Sequence, residues 1–201
     1  MSLLRAFIAI ELPAHVCDAI QKQTIRLRQT LGNDLIRWVP TQNMHLTLKF
    51  LGDTTTSYLD FLKQLLAREA DSHPQFDLQL GGLGAFPNSR RPRLLWIGIH
   101  APADLVSLQR SIEEGTTRLG YKQEERAFSP HLTIGRVRPN ISPPELQKIH
   151  AALDTIQLGN IGTARVDSIH LFKSDLQPGG SIYTKLFSAP LSDHEVEPER
   201  A

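Results

Sequence analysis

Two segments of this sequence carry almost the same pattern: HLTLKFLG at residues 45–52 and SPHLTIGR at residues 129–136. In each, a histidine and a threonine two positions later alternate with apolar residues, and the histidines, His45 and His131, are 86 residues apart. Two apolar stretches upstream repeat at an offset of 88 residues, 7–10 and 95–98. A repeat that preserves the order of its parts predicts a duplicated fold with two similar lobes.

The rest of the chain alternates between helical and extended patterns. Apolar spacing predicts helices over residues 13–31, 56–70, 102–119 and 142–153, and strands over residues 5–10, 36–39, 44–51, 76–83, 94–99, 128–137, 156–158, 162–173 and 181–187. We therefore expect an α+β fold, a bilobal pseudo-symmetric duplication in which two antiparallel or mixed sheets flank a central cleft and helices cover the outer faces. Residues 1–191 are expected to form this single domain of two interleaved lobes, followed by a flexible polar tail at 192–201.

Composition excludes several classes of protein. The 201 residues include 22 Lys plus Arg, 21 Asp plus Glu and one cysteine, Cys17, and the formal net charge is +1. A lone cysteine forms neither an intramolecular disulfide nor a thiolate metal cage, and no apolar run approaches the roughly 20 residues of a membrane-spanning helix. The small charge provides no broad basic surface for nucleic acid. We expect a cytoplasmic monomer with no membrane attachment and no obligate protein partner.

The repeated motif predicts a cluster of polar side chains. Residues two apart in a strand point to the same face, so the apolar positions of each motif face the core and the histidine and threonine face the opposite side. If the lobes are related by a pseudo-twofold axis, the two motifs face one cleft. That cleft would contain four polar side chains: His45, Thr47, His131 and Thr133.

Such a set of side chains suits cleavage of a phosphodiester. In-line displacement needs a base that removes a proton from the attacking oxygen and an acid that protonates the leaving oxygen, and histidine can do either near neutral pH. Threonine hydroxyls can donate hydrogen bonds to the phosphate oxygens. Arg136 follows five residues after His131, and a guanidinium matches phosphate geometry. This chemistry requires neither a metal ion nor a cofactor.

Each motif also has a simpler interpretation. A single His-x-Thr is more often an ordinary half-exposed pair on a strand, but two copies at matched positions of a repeat favour a shared site. Metal binding by the histidines is an alternative, although neither motif has an adjacent acidic residue or a second histidine at helical spacing. The other six histidines lack the threonine partner, and surface or structural roles are expected for them.

At this level of detail the two segments resemble the paired signatures of the two-histidine phosphoesterase superfamily. The chain is most similar to the bacterial and archaeal RNA 2',3'-cyclic phosphodiesterases, also called 2'-5' RNA ligases. The resemblance extends through Arg37-Trp38-Val39 to the Gly180–Leu186 strand.

The resemblance implies a substrate and a set of roles. The substrate would be an RNA end bearing a 2',3'-cyclic phosphate, hydrolysed to a 2'-phosphomonoester, with reversible formation of a 2'-5' linkage in the enzymes that gave the family its older name. His45 would be the general acid that protonates the ribose O3', and His131 the general base that activates water. Thr47 and Thr133 would bind phosphate. The sequence alone does not order the two histidines, because the motifs are nearly identical.

The same resemblance assigns phosphate binding to Arg136 and a position near the nucleoside to Phe50. Both residues lie five positions past their histidines, so strict alternation would put them on the opposite face. A β-bulge at Gly135 or Gly52 could redirect them. For Phe50 the competing interpretation is ordinary core packing, and Lys49 is either a cleft residue or an exposed lysine.

Two further features have open interpretations. The cluster Arg90, Arg91 and Arg93 is either a guide for an RNA tail or a solvated loop. Trp38 is either a stacking platform for a base or a core residue, and core packing is the expectation for Trp96.

Other functions remain compatible with these residues. One is a non-catalytic module that binds RNA ends in the same cleft. Another is a phosphodiesterase that acts on small cyclic nucleotides or on 2'-5' oligonucleotides.

Overall fold

The computed structural model describes residues 2–177 and 180–193. Its elements are, in chain order, β1 (Leu3–Glu11), α1 (Ala14–Leu35), β2 (Ile36–Trp38), β3 (His45–Thr55), α2 (Leu59–Asp71), β4 (Phe76–Phe86), β5 (Leu94–His100), α3 (Ala103–Arg118), β6 (His131–Val137), α4 (Pro143–Thr155), β7 (Asn160–Val166), β8 (Ser168–Gln177) and β9 (Gly180–Pro190). Short 3₁₀ turns at Thr41–Asn43 and Thr56–Tyr58 precede β3 and α2. The predicted α+β class is confirmed.

The nine described strands form one sheet. Its order is β7-β4-β5-β6-β3-β1-β8-β9, β2 pairs with the end of β6, and all pairs between these strands are antiparallel. The two sheets predicted from the sequence are the two halves of this one sheet, which meet where β3 and β6 share a single residue pair, Leu46 with Leu132. The main apolar core lies between one face of this sheet and the four helices, which leaves the opposite face free for the site.

The pairing of β1 and β5 corrects the alignment of the repeat. Ile10 pairs with Leu46 in one lobe, and Ile97 pairs with Leu132 in the other. The upstream stretches therefore correspond at an offset of 87 residues, so that Phe7–Ile10 matches Leu94–Ile97. The offset of 88 suggested by sequence would put equivalent side chains on opposite faces of the sheet.

Both lobes contain a β-bulge at the same place in the repeat. In β6 the pairing with β5 slips by one residue between Thr133 and Gly135, and in β3 the pairing with β1 slips between Thr47 and Lys49. A bulge adds one residue and reverses the alternation of faces beyond it. The bulge predicted at Gly135 is confirmed, whereas the one that redirects β3 lies before Gly52.

Because of its bulge, Lys49 is buried on the helix side of the sheet with 5% of its surface exposed. Its Nζ donates to the carboxylate of Glu113 on α3 and, at 2.7 Å, to the carbonyl of Lys122. The same carboxylate accepts a hydrogen bond from the backbone N–H of Glu124 at 2.9 Å. Both sequence interpretations of Lys49 are therefore wrong: this lysine connects β3 to α3 and to the loop that leads into β6.

Other boundaries differ from prediction at turns and ends. Residues 162–173, predicted as one strand, belong to β7 and β8. The stretch 156–158, in which Ile156 and Leu158 are buried, is not a strand. The helix predicted to open at Ser142 does so with a capping box formed with Glu145. At the start of the predicted tail, the N–H of Ser192 donates to the carbonyls of Ala70 and His73. Residues 194–201 of that tail lie outside the described residues, and none of the helices described could span a membrane.

Replacing Lys49 by methionine should destabilise the fold by about 3–5 kcal/mol, because it removes one partner of a buried ion pair and leaves the other charge uncompensated. Urea unfolding followed by circular dichroism measures this loss. The double variant Lys49→Met/Glu113→Gln should recover part of the loss, since no buried charge is left alone. Equal stability of Lys49→Met and the unaltered protein would contradict this account.

Candidate active site

The two His-x-Thr motifs lie side by side at the junction of the two half-sheets. Leu46 and Leu132 are paired and buried in the core, so the residues on either side of each face away from the core. Continuing the antiparallel register by one residue sets His45 opposite Thr133 and Thr47 opposite His131. Side chains opposed in this way have Cβ atoms about 4.5–5.5 Å apart, and diagonal neighbours about 7–8 Å. The two histidines occupy one diagonal of the square and the two threonines the other.

The same backbone contact orients both imidazoles. Nδ1 of His45 lies 2.9 Å from the carbonyl oxygen of Asn43, and Nδ1 of His131 lies 2.7 Å from the carbonyl oxygen of Ser129. A carbonyl oxygen only accepts, so Nδ1 carries the hydrogen in both rings. In the neutral rings Nε2 is then free to accept a proton, and in the charged rings it can donate one.

Aromatic side chains surround His45. Its ring stacks on Phe7 with centroids 4.7 Å apart, and Tyr183 of β9 meets it edge-on at 5.1 Å. Burial lowers the pKa of His45 below its usual value, and the cations of Arg136 and His131 lower it further. The hydrogen bond to Asn43 and the carboxylate of Glu11, which pairs with His45 across β1 and β3, act in the opposite direction.

The surroundings of His131 are different. The ring of Phe86 meets it edge-on at 4.9 Å, and Phe86 also packs against Trp96 at 5.4 Å. Trp96 pairs with Thr133, and its ring covers Gly84 so closely that a Cβ there would lie 2.2 Å from the ring. The expectation of core packing for Trp96 is therefore wrong, because this ring forms part of the floor of the site.

Arg136 and Phe50 both lie on the site face, just past the two bulges. Phe50 is 65% exposed and its ring is 6.0 Å from that of Phe7, so it is not a core residue. The strands are antiparallel, so the two residues lie at opposite ends of the square. Arg136 extends from the end that holds His45, in agreement with its electrostatic effect on that ring, and Phe50 extends from the end that holds His131. Arg136 thus adds a cation at one end of the square, and Phe50 adds an exposed ring beside Phe7, the ring that stacks on His45.

Strand β9 returns over the site face. Beyond Lys173, strand β8 pairs with β9 alone, and the hairpin brings Tyr183 onto His45 and Phe7. The side-chain amide of Asn43 donates to the carbonyl of Ser181 at 3.1 Å. Asn43 therefore connects the hairpin to His45: its side chain binds Ser181, and its backbone carbonyl orients the imidazole.

Several neighbours of the site could not be identified from the sequence. Phe7, Phe172 and Tyr183 form a small apolar cluster on the site face, apart from the main core. Strand parity relative to His45 could have indicated Phe7, but not the returning hairpin. Trp38 lies on the helix side, where its Nε1 donates to the carbonyl of Gly32 and Arg28 covers its ring at 4.8 Å, so it does not line the cleft. No group of three His, Cys, Asp or Glu side chains suited to a metal ion occurs among residues 2–177 and 180–193.

Comparison with known proteins identifies the family. The sequence model of the 2'-5' RNA ligase superfamily matches residues 12–178. The chain belongs to this superfamily. The resemblance seen in the His-x-Thr motifs is thereby confirmed.

Among the curated proteins similar to this chain are two named RNA 2',3'-cyclic phosphodiesterase. The protein from Methanothermobacter thermautotrophicus is 31% identical over 91% of this chain and 96% of its own length. The one from Methanocaldococcus jannaschii is 32% identical over 90% and 96%. The crystal structure of E. coli LigT complexed with 3'-AMP is also similar, with a TM-score of 0.74 and 28% identity over 95% of this chain and 99% of that one.

Replacing Asn43 by alanine should loosen the hairpin over His45, because it removes the hydrogen bond to Ser181 but keeps the backbone carbonyl that orients the ring. We expect faster amide hydrogen exchange in β8 and β9. The pKa of His45 should rise toward its usual value as water reaches the ring, which an NMR titration measures. Gln42→Ala, an exposed change in the same turn, is the control, and unchanged exchange in Asn43→Ala would contradict the role of the tie.

Proposed function

We propose that this protein hydrolyses the 2',3'-cyclic phosphate at an RNA end to a 2'-phosphomonoester, without a metal ion, by paired-histidine acid–base catalysis. The observation that carries the proposal is the square of two histidines and two threonines, with each imidazole oriented through its own Nδ1 hydrogen bond. The names of the relatives support it as well. The ligand in the LigT crystal structure, 3'-AMP, shows that a similar protein binds a nucleotide.

In the proposed reaction His131 acts as the base. Its neutral Nε2 takes a proton from water, the water oxygen bonds to phosphorus, and the bond from phosphorus to O3' breaks. His45 acts as the acid and gives its Nε2 proton to O3'. The products are a 2'-phosphate and a 3'-hydroxyl, and each histidine ends in the protonation state in which the other began.

The remaining side chains stabilise charge. Thr47 and Thr133 donate hydrogen bonds to the non-bridging oxygens, which carry the negative charge of the transition state. Arg136 supplies a permanent cation at the end of the square that holds His45. Phe50 offers an exposed aromatic surface to the nucleoside beside Phe7, whose ring stacks on His45.

The same arrangement supports the reaction named in the family description. If the 5'-hydroxyl of a second RNA replaces water, His131 deprotonates that hydroxyl and phosphorus becomes joined to it while O3' leaves. The product is a 2'-5' linkage. Because the reverse step uses the same two proton transfers, a 2'-5' linkage beside a 3'-hydroxyl should also be cleaved.

The first test is turnover in the presence of EDTA. We expect the protein to convert an RNA ending in a 2',3'-cyclic phosphate into a 2'-phosphate, and expect His45→Ala or His131→Ala to lower the rate by about 10²- to 10⁴-fold, because each removes one proton transfer. His15→Ala, an exposed histidine of α1, is the matched control.

Two outcomes would contradict the proposal. Full turnover by the double variant His45→Ala/His131→Ala would exclude the paired mechanism. Micromolar binding of the RNA end with no turnover would identify a binding module instead. Competition among RNA ends, nucleoside 2',3'-cyclic phosphates and 2'-5' oligonucleotides shows which substrate is preferred.

A second test assigns the two roles. At pH well above the pKa of both histidines, kcat/KM is proportional to the protonated fraction of the acid, and well below both it depends on the base. The carboxylate of Glu11 raises the pKa of His45, so Glu11→Gln should lower that pKa. If His45 is the acid, Glu11→Gln lowers kcat/KM in the alkaline range and leaves the acidic range unchanged.

The control for this test is Asp53→Asn, which removes one exposed carboxylate from the far end of β3. A higher kcat/KM in the acidic range for Glu11→Gln would reverse the assignment and make His45 the base. Arg136→Gln removes a cation that lowers the pKa of His45, so that pKa should rise. The limb of the pH profile that Glu11→Gln shifts should then move in the opposite direction.

A further inference from the structure

Two arginines lie directly opposite each other beside the site. Arg37 of β2 pairs with Arg136 of β6, and both side chains are exposed. Opposed side chains of an antiparallel pair have Cβ atoms about 4.5–5.5 Å apart, and like charges in that position are destabilising. The fold therefore maintains an unfavourable contact next to the catalytic residues.

Both arginines project from the site face of the sheet. Ile36, next to Arg37, is fully buried in the main core. Ile134 and Gly135, just before Arg136, are buried as well. A Cβ added at Gly135 would lie 2.6 Å from the side chain of Ile36, so these neighbours share the helix side. The alternation of faces puts Arg37 and Arg136 together on the opposite side, with His131 and Thr133.

Neither guanidinium has a hydrogen-bonding or ion-pair partner among the residues that the structure describes. Within the described part of the chain, the arginines that form ion pairs are Arg68, Arg126 and Arg165. Arg37 and Arg136 make no ion pair and no side-chain hydrogen bond with any residue in that part. Ten N–H donors are thus directed to solvent from two adjacent positions, an arrangement that fits anionic oxygens.

The position of the pair relates it to the substrate. Arg136 is close enough to His45 to affect its titration. Arg37 lies opposite Arg136 at the same level of β6, because β2 replaces β3 as the neighbour of β6 beyond the Leu46–Leu132 pair. If His45 protonates O3', the ribose lies at this end of the square, and an RNA chain attached to that ribose leaves in this direction. The next phosphate of the chain would then lie within reach of Arg37, the second cation at this end.

We propose that Arg37 binds the internucleotide phosphate next to the reacting one, while Arg136, directly opposite it, binds the reacting phosphate. This inference rests on the proposed function and extends it, because it makes a chain of at least two nucleotides the preferred substrate. Two cations then meet two anions, which removes the repulsion between the arginines. The partner is the RNA backbone, read by charge and not by base sequence.

The overall charge agrees with so short a contact. With a formal net charge of +1, the protein has little long-range attraction for RNA. For a single strand, the slope of log affinity against log salt changes by about 0.7 for each phosphate neutralised. A phosphate contact made by Arg37 should therefore account for about 0.7 of this slope.

The experiment varies the substrate and the protein together. The substrates are uridine 2',3'-cyclic phosphate and a short oligonucleotide with the same end, its upstream nucleotides 2'-O-methylated, and with either a natural or an uncharged methylphosphonate linkage next to the terminal nucleotide. The proteins are the unaltered chain, Arg37→Gln, Arg37→Lys and, as a control with the same loss of charge, Arg26→Gln on the exposed side of α1. The readout is the ratio of kcat/KM between oligonucleotide and mononucleotide.

We expect the methylphosphonate to lower this ratio about tenfold in the unaltered protein, the size of one charge-assisted hydrogen-bonding contact. In Arg37→Gln the ratio should fall by a similar factor for the natural linkage and show no further loss with the methylphosphonate. Arg37→Lys should retain part of the preference, and Arg26→Gln should retain all of it.

Three results would overturn the proposal. The first is that the unaltered protein shows no loss with the methylphosphonate; this result does not depend on any variant being folded. The second is that Arg37→Gln keeps the full preference for the oligonucleotide. The third is that Arg37→Gln lowers turnover of both substrates equally, a result that would assign Arg37 to the reacting phosphate. If the unaltered protein hydrolysed neither substrate, the proposed function itself would fail, and this result is distinct from the other three.

Discussion

The arrangement of the site depends on one contact, the antiparallel pair of Leu46 with Leu132. Among the described residues this is the single register pair that joins β3 to β6, and it merges two half-sheets into one sheet whose helix side packs on the main apolar core. The two leucines are buried, so the polar residue on either side of each is turned to the opposite face. A slip of one residue at this pair would turn the histidines and threonines into the core.

The duplication builds a symmetric centre with unlike ends. At the centre, both imidazoles have the same backbone hydrogen bond and each is opposed by a threonine. At equivalent positions past the bulges, one lobe has Arg136 and the other has Phe50. In the proposed mechanism, in-line displacement at phosphorus uses an acid and a base that are similar in kind, while the groups on the two sides of phosphorus differ. The two lobes would meet both needs. The deeper burial of His45 beside Phe7 and Tyr183 adds a further difference.

Much of this could be predicted from the sequence, because the repeat and the period of two fix which residues share a face. The α+β class, the joint location of His45, Thr47, His131 and Thr133, and the capped start of α4 all follow from local patterns. The bulges could not be located, since an extra residue in a strand has no distinct composition, and Lys49 was misplaced for that reason. The contact of Asn43 with Ser181 joins residues 138 positions apart, which no local pattern encodes.

The matching bulges also bear on how the two lobes arose. An irregularity at the same step of β3 and of β6 is explained most simply if the ancestral half-domain already contained it before the gene segment was copied. The position after the bulge then faced the cleft in both copies from the start. Arginine and phenylalanine could diverge there by ordinary substitution, with no change in chain length or strand register.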